Sequence, residues 1–279
     1  PTLGWLTGGF ILMLMLALIW RKRNFVIMSI SLAILGAGFL LVLNIKNGPL
    51  EALRSTPAIG RFGQLLDEQS NNAQVRNFIW IGAVDLVAPH APLEYPDGSK
   101  DIFNAIRPLI GYGPESMYVA YNPFYPTELT QVEKRNASPD RSHNETWDSL
   151  VITGLFGLIL YLMIFSAILF YGLKWLNLII NAKQRNLFFT LLYSGGFLFA
   201  IGFILWRGVQ YVGVGFPFGM VIGLIVYFII ISLTGKYPYP TNEQSIIKAL
   251  LLSVLLAAIV AHFVEINFGI AIAATRTYF

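Results

Sequence analysis

The stretch Asp140-Arg141-Ser142-His143-Asn144-Glu145-Thr146-Trp147 gathers the side chains best able to do chemistry. Ser142 and Glu145 have the Ser-x-x-Glu spacing of a capping box, which predicts a helix starting here with His143 at its first helical position. A helix N-terminus disfavours a protonated imidazole and favours the neutral base. The same end welcomes an anion such as phosphate. A general base beside a phosphorylated donor needs those two properties together. The alternative for His143 is an interfacial histidine without a chemical task.

Arg76 stands one turn before Trp80, and such an arginine serves either as a stacking residue or as a bidentate grip on a diphosphate. Arg107 and Arg141 flank the same region and could share that grip. Arg207 stands at a helix break, Arg207-Gly208-Val209-Gln210, before Gly213, Gly215 and Pro217. His262 and Glu265 are an ionisable pair within an apolar run, one turn apart near its outer end, and read as a structural pair. No metal site is expected, because two ligands on one helix fall short of a usual set. The sequence has no cysteine, and neither an Asp-x-Asp, a phosphate-cradling glycine loop nor a Gly-x-Ser-x-Gly occurs.

The elements that must position these residues follow from composition. Hydrophobic residues make up 56% and charged residues 12%, against about 25% charged in a soluble domain. Thirteen of the fifteen acidic residues and ten of the fourteen prolines lie between Lys46 and Asp148. That segment carries nine Lys and Arg against its thirteen acids, so it is no nucleic-acid surface.

Six apolar runs are long enough to cross a bilayer: Trp5–Trp20, Phe25–Ile45, Ser149–Leu173, Leu187–Trp206, Gly215–Leu233 and Ile246–Ala273. The expected fold is an all-α polytopic membrane protein. Two spans (1–45) precede a large, partly helical loop (46–148), and four spans follow (149–279). Arg21, Lys22, Arg23, Lys174, Lys183, Arg185, Lys236 and Lys248 all fall in connections on one side. By the positive-inside rule that side is the cytoplasm, which leaves the loop extracytoplasmic. Within the loop, Asn72–Val87 reads as an amphipathic helix with Val75, Phe78, Ile79, Gly82 and Leu86 on one face.

On these residues the chain resembles the superfamily of bacterial O-antigen ligases and O-antigen polymerases. His143-Asn144 followed after nine residues by Gly154-Leu155-Phe156-Gly157 matches that family's His-Asn-x9-Gly-x-x-Gly pattern. Arg76 with Trp80 resembles its arginine-led helix, and Pro108-Leu109-Ile110-Gly111-Tyr112-Gly113 its Pro-x-x-Gly-x-Gly turn. The resemblance covers about Arg76 to Gly157. The family's Ser-Arg-Gly signature would stand just before Pro1, so the chain is expected to be the C-terminal part of a longer protein.

The resemblance implies an inverting transfer of a glycan from a polyprenyl diphosphate carrier to an acceptor hydroxyl on a glycolipid or protein. It implies no metal and no other cofactor, and a location in the bacterial plasma membrane. His143 and Arg76 would be catalytic. Arg107, Arg141, Asn144, Trp80, Gly111 and Gly113 would contact substrate. A flippase of lipid-linked glycans and a non-catalytic membrane subunit are the competing readings. The former would place charges along the helices and show inverted repeats, which this sequence does not.

Overall fold

The computed structural model describes residues 2–20, 23–54, 56, 59–60, 62–64, 70–135, 137–234 and 242–269. Its α-helices are α1 (Thr2–Ile19), α2 (Arg23–Leu43), α3 (Glu51–Arg54), α4 (Asn71–Val87), α5 (Arg107–Ile110), α6 (Met117–Ala120), α7 (Leu129–Val132), α8 (Glu145–Trp175), α9 (Ala182–Arg207), α10 (Val212–Thr234) and α11 (Glu243–Ile266). Six of them, α1, α2 and α8 to α11, are long and apolar enough to cross a membrane. Among the described residues the only extended pairing is a single antiparallel bridge, Glu94 to Lys100.

The six long helices fall on the six expected runs, with the largest departures at three ends. α8 begins at Glu145, four residues before the expected Ser149. α9 begins at Ala182, five residues before the expected Leu187. α11 stops at Ile266, where the expectation ran to Ala273. There the Asn267 side chain turns back and donates to Phe263 O at 2.7 Å, satisfying a last-turn carbonyl and closing the helix. Residues 270–273 lie outside the described set.

Small residues set how closely the helices approach. On α1, a Cβ at Gly4 would stand 2.6 Å from Ala261 O, and one at Gly8 would stand 2.9 Å from Ala257 O, so α1 lies backbone-close along α11. On α9 and α10, Gly195 faces Gly219, and Gly223 faces the Leu191 backbone. Backbone contact of this kind replaces the hydrophobic drive that an apolar solvent cannot supply. Phe188, Leu192, Met220, Leu224, Tyr227 and Phe228 fill the space between helices.

In the loop, α4 is the organising element. Its expected apolar face packs Ile79 and Leu86 against Met117, Tyr121, Leu129 and Val151. Its other face places Trp80 and Ala83 against Trp147 of α8 and Val214 of α10. A helix buried on both faces joins the loop to the ends of the long helices.

Candidate functional site

The N-cap of α8 is Asn144, not Ser142. Asn144 has extended backbone (φ −152°, ψ 116°), and its Oδ1 accepts from Trp147 N at 3.1 Å. The expected Ser142–Glu145 box does not form, because Ser142 is engaged elsewhere. Its N–H donates to Asp148 Oδ1 at 2.7 Å, and its hydroxyl reaches the same oxygen at 2.7 Å. His143 therefore stands before the helix rather than in its first turn, held at φ +58°. That left-handed conformation costs a non-glycine residue on the order of 1 kcal/mol, least for Asn, Asp and His.

Asn144 also clamps three helices. Its amide hydrogens go to Gly213 O of α10 at 2.8 Å and to Asn267 O, past the end of α11, at 2.9 Å. Gly213 O is free to accept because Pro217, four residues on, has no N–H to offer it. Thr146 adds a bond to Asn267 Oδ1 at 3.1 Å, and Trp147 Nε1 donates to Gln210 O at 2.9 Å. Asn144 is fully buried with its donors spent inside the chain, so here it builds the site instead of facing a ligand.

Trp80 brings the loop helix to this turn. Its Nε1 donates to Ser142 O at 2.9 Å, the carbonyl just before His143, while its ring meets Tyr211 edge-on at 5.6 Å. Trp80 is buried, and Arg76, one turn earlier on α4, is near enough to His143 for its charge to act on the imidazole. Among the described residues, neither Arg76 nor His143 has a hydrogen-bond or ion-pair partner. Both are half-buried. Burial, followed by the charge of Arg76, pulls the His143 pKa below its ordinary value, with Asp148, Asp140 and Glu133 opposing. Burial also lowers Arg76 from its usual value, although a guanidinium stays charged at neutral pH.

Arg107 is committed elsewhere. Its Nε and one terminal nitrogen grip Asp101 at 2.7 and 3.0 Å, and its other terminal nitrogen donates to Gly111 O at 3.0 Å. The plane sits over Phe103 and Tyr112, 5.6 and 5.1 Å from their centroids. That grip holds the Asp101 carboxyl below the usual carboxylate range. Arg107, expected at the substrate, thus shapes the turn that carries Gly111 and Gly113. Tyr112 in that turn is pushed up to about 12 by burial, and its hydroxyl meets His90 Nε2 at 2.8 Å.

Gly111 and Gly113 act through backbone. Their φ angles are +72° and +100°, and Gly154 in α8 has φ +65° with ψ −167°. The Gly154 kink breaks the α8 ladder, leaving Val151 O and Ile152 O without their helical donors. Tyr112 N and Gly113 N take those carbonyls at 2.8 and 2.9 Å. A Cβ on Gly154 would overlap the Leu109 carbonyl, and one on Gly111 would overlap the Ile152 carbonyl. The two glycine motifs, forty residues apart in sequence, are the two halves of one backbone junction.

Arg141 pairs through one terminal nitrogen with Glu115, and its other terminal nitrogen is buried with no partner. Asp148, which sequence reasoning used only as a loop boundary, proves central. It is 1% exposed, its Oδ1 organises Ser142, and its Oδ2 is buried without a partner. Arg141 and His143 are both near enough for their charges to act on it. Its signal in sequence was an acid in the first turn of an otherwise apolar helix. Arg207 lies over the Trp206 ring at 4.4 Å. His262 and Glu265 are both on α11, Glu265 two residues before the Asn267 that bonds to Asn144 and Thr146. Among the described residues no group of three or more His, Asp or Glu could hold a metal ion. No protein-family model, curated protein or solved structure matches the chain.

Proposed function

We propose that the chain belongs to a multi-pass membrane glycosyltransferase that moves a glycan from a polyprenyl diphosphate to an acceptor hydroxyl with inversion and without a metal. The observation carrying this reading is the pair of partnerless, half-buried groups, Arg76 and His143, at the end of an apolar helix bundle. A half-buried cation without a carboxylate is costly unless an anion completes it. A histidine kept neutral beside it is ready to accept a proton.

In the proposed step the acceptor hydroxyl attacks the anomeric carbon as its proton passes to His143. The bond from that carbon to the diphosphate oxygen breaks, and the electron pair leaves with the diphosphate. Arg76 stabilises that developing charge. In this reading the helices sit in a bacterial plasma membrane with the 46–148 loop on the outer side. The acceptor is a glycolipid or a protein.

Arg76 is the sharpest test, because a bidentate grip and a plain charge respond differently to lysine. In the full-length protein, Arg76→Lys and Arg76→Ala should lose binding of a polyprenyl diphosphate glycan to similar degrees, at an unchanged melting temperature. Transfer should be unaffected by EDTA. A lysine variant with full affinity, or affinity that merely tracks melting, would sink the assignment.

A further inference from the structure

The segment 102–110 presents an outward apolar face that the loop does not use. Ile102 is 86% exposed, and Phe103, Ile106, Leu109 and Ile110 are exposed as well. The polar members of the segment face inward. Asn104 donates to His90 O at 2.7 Å, and Arg107 is neutralised by Asp101. The outer face is therefore apolar and carries no free charge.

Its place along α8 says what covers it. The segment's C-terminal end meets α8 at the Gly154 kink, where the Leu109 and Ile110 backbone packs on Gly154, and Tyr112 and Gly113, just past the segment, bond to Val151 and Ile152. Immediately beyond the kink, α8 exposes Leu155, Phe156, Ile159, Leu160, Met163 and Ile164. From Leu155 to Trp175 the helix is about 31 Å long at 1.5 Å per residue, roughly the ~30 Å of a hydrocarbon core. Exposed Tyr171 and Trp175, with Lys174, mark the far boundary as interfacial residues do. The near boundary then falls at Gly154, level with the docked segment.

We propose that the 102–110 segment is an interfacial membrane anchor, laying Ile102, Phe103, Ile106, Leu109 and Ile110 into the headgroup–acyl boundary of the leaflet beside the α8 kink. The partner is the lipid itself, and because Arg107 is already paired, anchoring does not depend on anionic headgroups. The proposal rests on the membrane-spanning part of the functional reading and not on transferase activity. Anchoring sets the height of the Gly111–Gly154 junction, and so of the turn bearing His143, relative to the bilayer.

The chain lacks cysteine, so single cysteines give clean labelling sites. An environment-sensitive fluorophore is placed at Ile106, Ile110, Ser99 or Ile159 of the full chain in phosphatidylcholine nanodiscs, with Phe103 as a spare position should one variant fail to reconstitute. Lipids spin-labelled near the headgroup should quench Ile106 and Ile110 at least threefold more than Ser99, and aqueous iodide should show the reverse order. Lipids labelled deep in the chain should quench Ile159 most. Replacing a third of the lipid by phosphatidylglycerol should leave all four values unchanged. Iodide quenching at Ile106 and Ile110 equal to that at Ser99 would overturn the anchor. Protection from both quenchers would also overturn it, by showing a protein surface there. Failure of lipid quenching at Ile159 would instead bring down the membrane-spanning reading and the anchor with it.

Discussion

The two parts of α8 on either side of Gly154 bury opposite kinds of residue. Before the kink, Glu145, Thr146, Asp148 and Ser149 are buried and engaged with the loop and with the ends of neighbouring helices. After it, Leu155, Phe156, Ile159 and Leu160 are exposed. A soluble helix hides its apolar stripe. The second part hides Phe165, Leu169 and Leu173 among the neighbouring helices and still exposes apolar residues on its other side, as a surface meant for an apolar solvent does. The first part resembles the interior of a polar site, where nearly every donor and acceptor is answered and the exception, Asp148 Oδ2, stands out. One helix thus joins a buried polar turn to an exposed apolar span, with a glycine as the boundary.

Removing the boundary should have the largest effect. Gly154→Leu forces a branched residue into φ +65° and drives its Cβ into the Leu109 carbonyl. Folded protein recovered in detergent should fall to background, and Gly154→Ala, which meets the same Cβ overlap without the longer side chain, should be recovered in lower yield and melt lower. A leucine variant that melts like the parent would show that the kink is not needed to join the two parts.

His143→Asn probes the first part without disturbing its backbone, since asparagine tolerates the left-handed region. Transfer should drop about 10²–10⁴-fold at an unchanged melting temperature, as removal of a general base does. Activity within threefold of the parent would leave His143 as a turn residue. Asn144→Ala is the structural counterpart. It removes a cap and two buried amide bonds, so stability should fall by about 2–4 kcal/mol, read from denaturant unfolding.

The smallest effect is a titration. The His143 pKa is lowered on folding, so the unfolded chain binds the proton more readily. This residue's contribution to stability is therefore complete above about pH 6.5 and is lost as pH falls through the folded value. NMR should place the His143 midpoint below 6.5, and Arg76→Met should move it upward by removing the charge that opposes protonation. A midpoint unmoved by that substitution would separate the two residues and weaken the comparison's polar side.

Much of this arrangement is visible in sequence, and what is missed has a common cause. The six long helices are legible because hydropathy is a local property that no partner needs to confirm, and the amphipathic face of α4 is legible for the same reason. The cap of α8 was misplaced by two residues because Ser142, Asn144 and Glu145 all suit a helix start. Asp148 decides between them by taking the serine, a contact settled only once the turn has closed. Arg107 and Asn144 are the right chemical types for a phosphate site, yet Asp101, Gly213 and Asn267 occupy their donors. Arg76 and His143, in turn, are distinguished by what they lack, and a missing partner is invisible in a string of residues. Sequence alone thus determined which segments an apolar solvent can accept and which residues can carry charge or protons. Only the tertiary structure decided which of those groups are already satisfied, because hydrogen-bond capacity is used up between segments far apart in the chain.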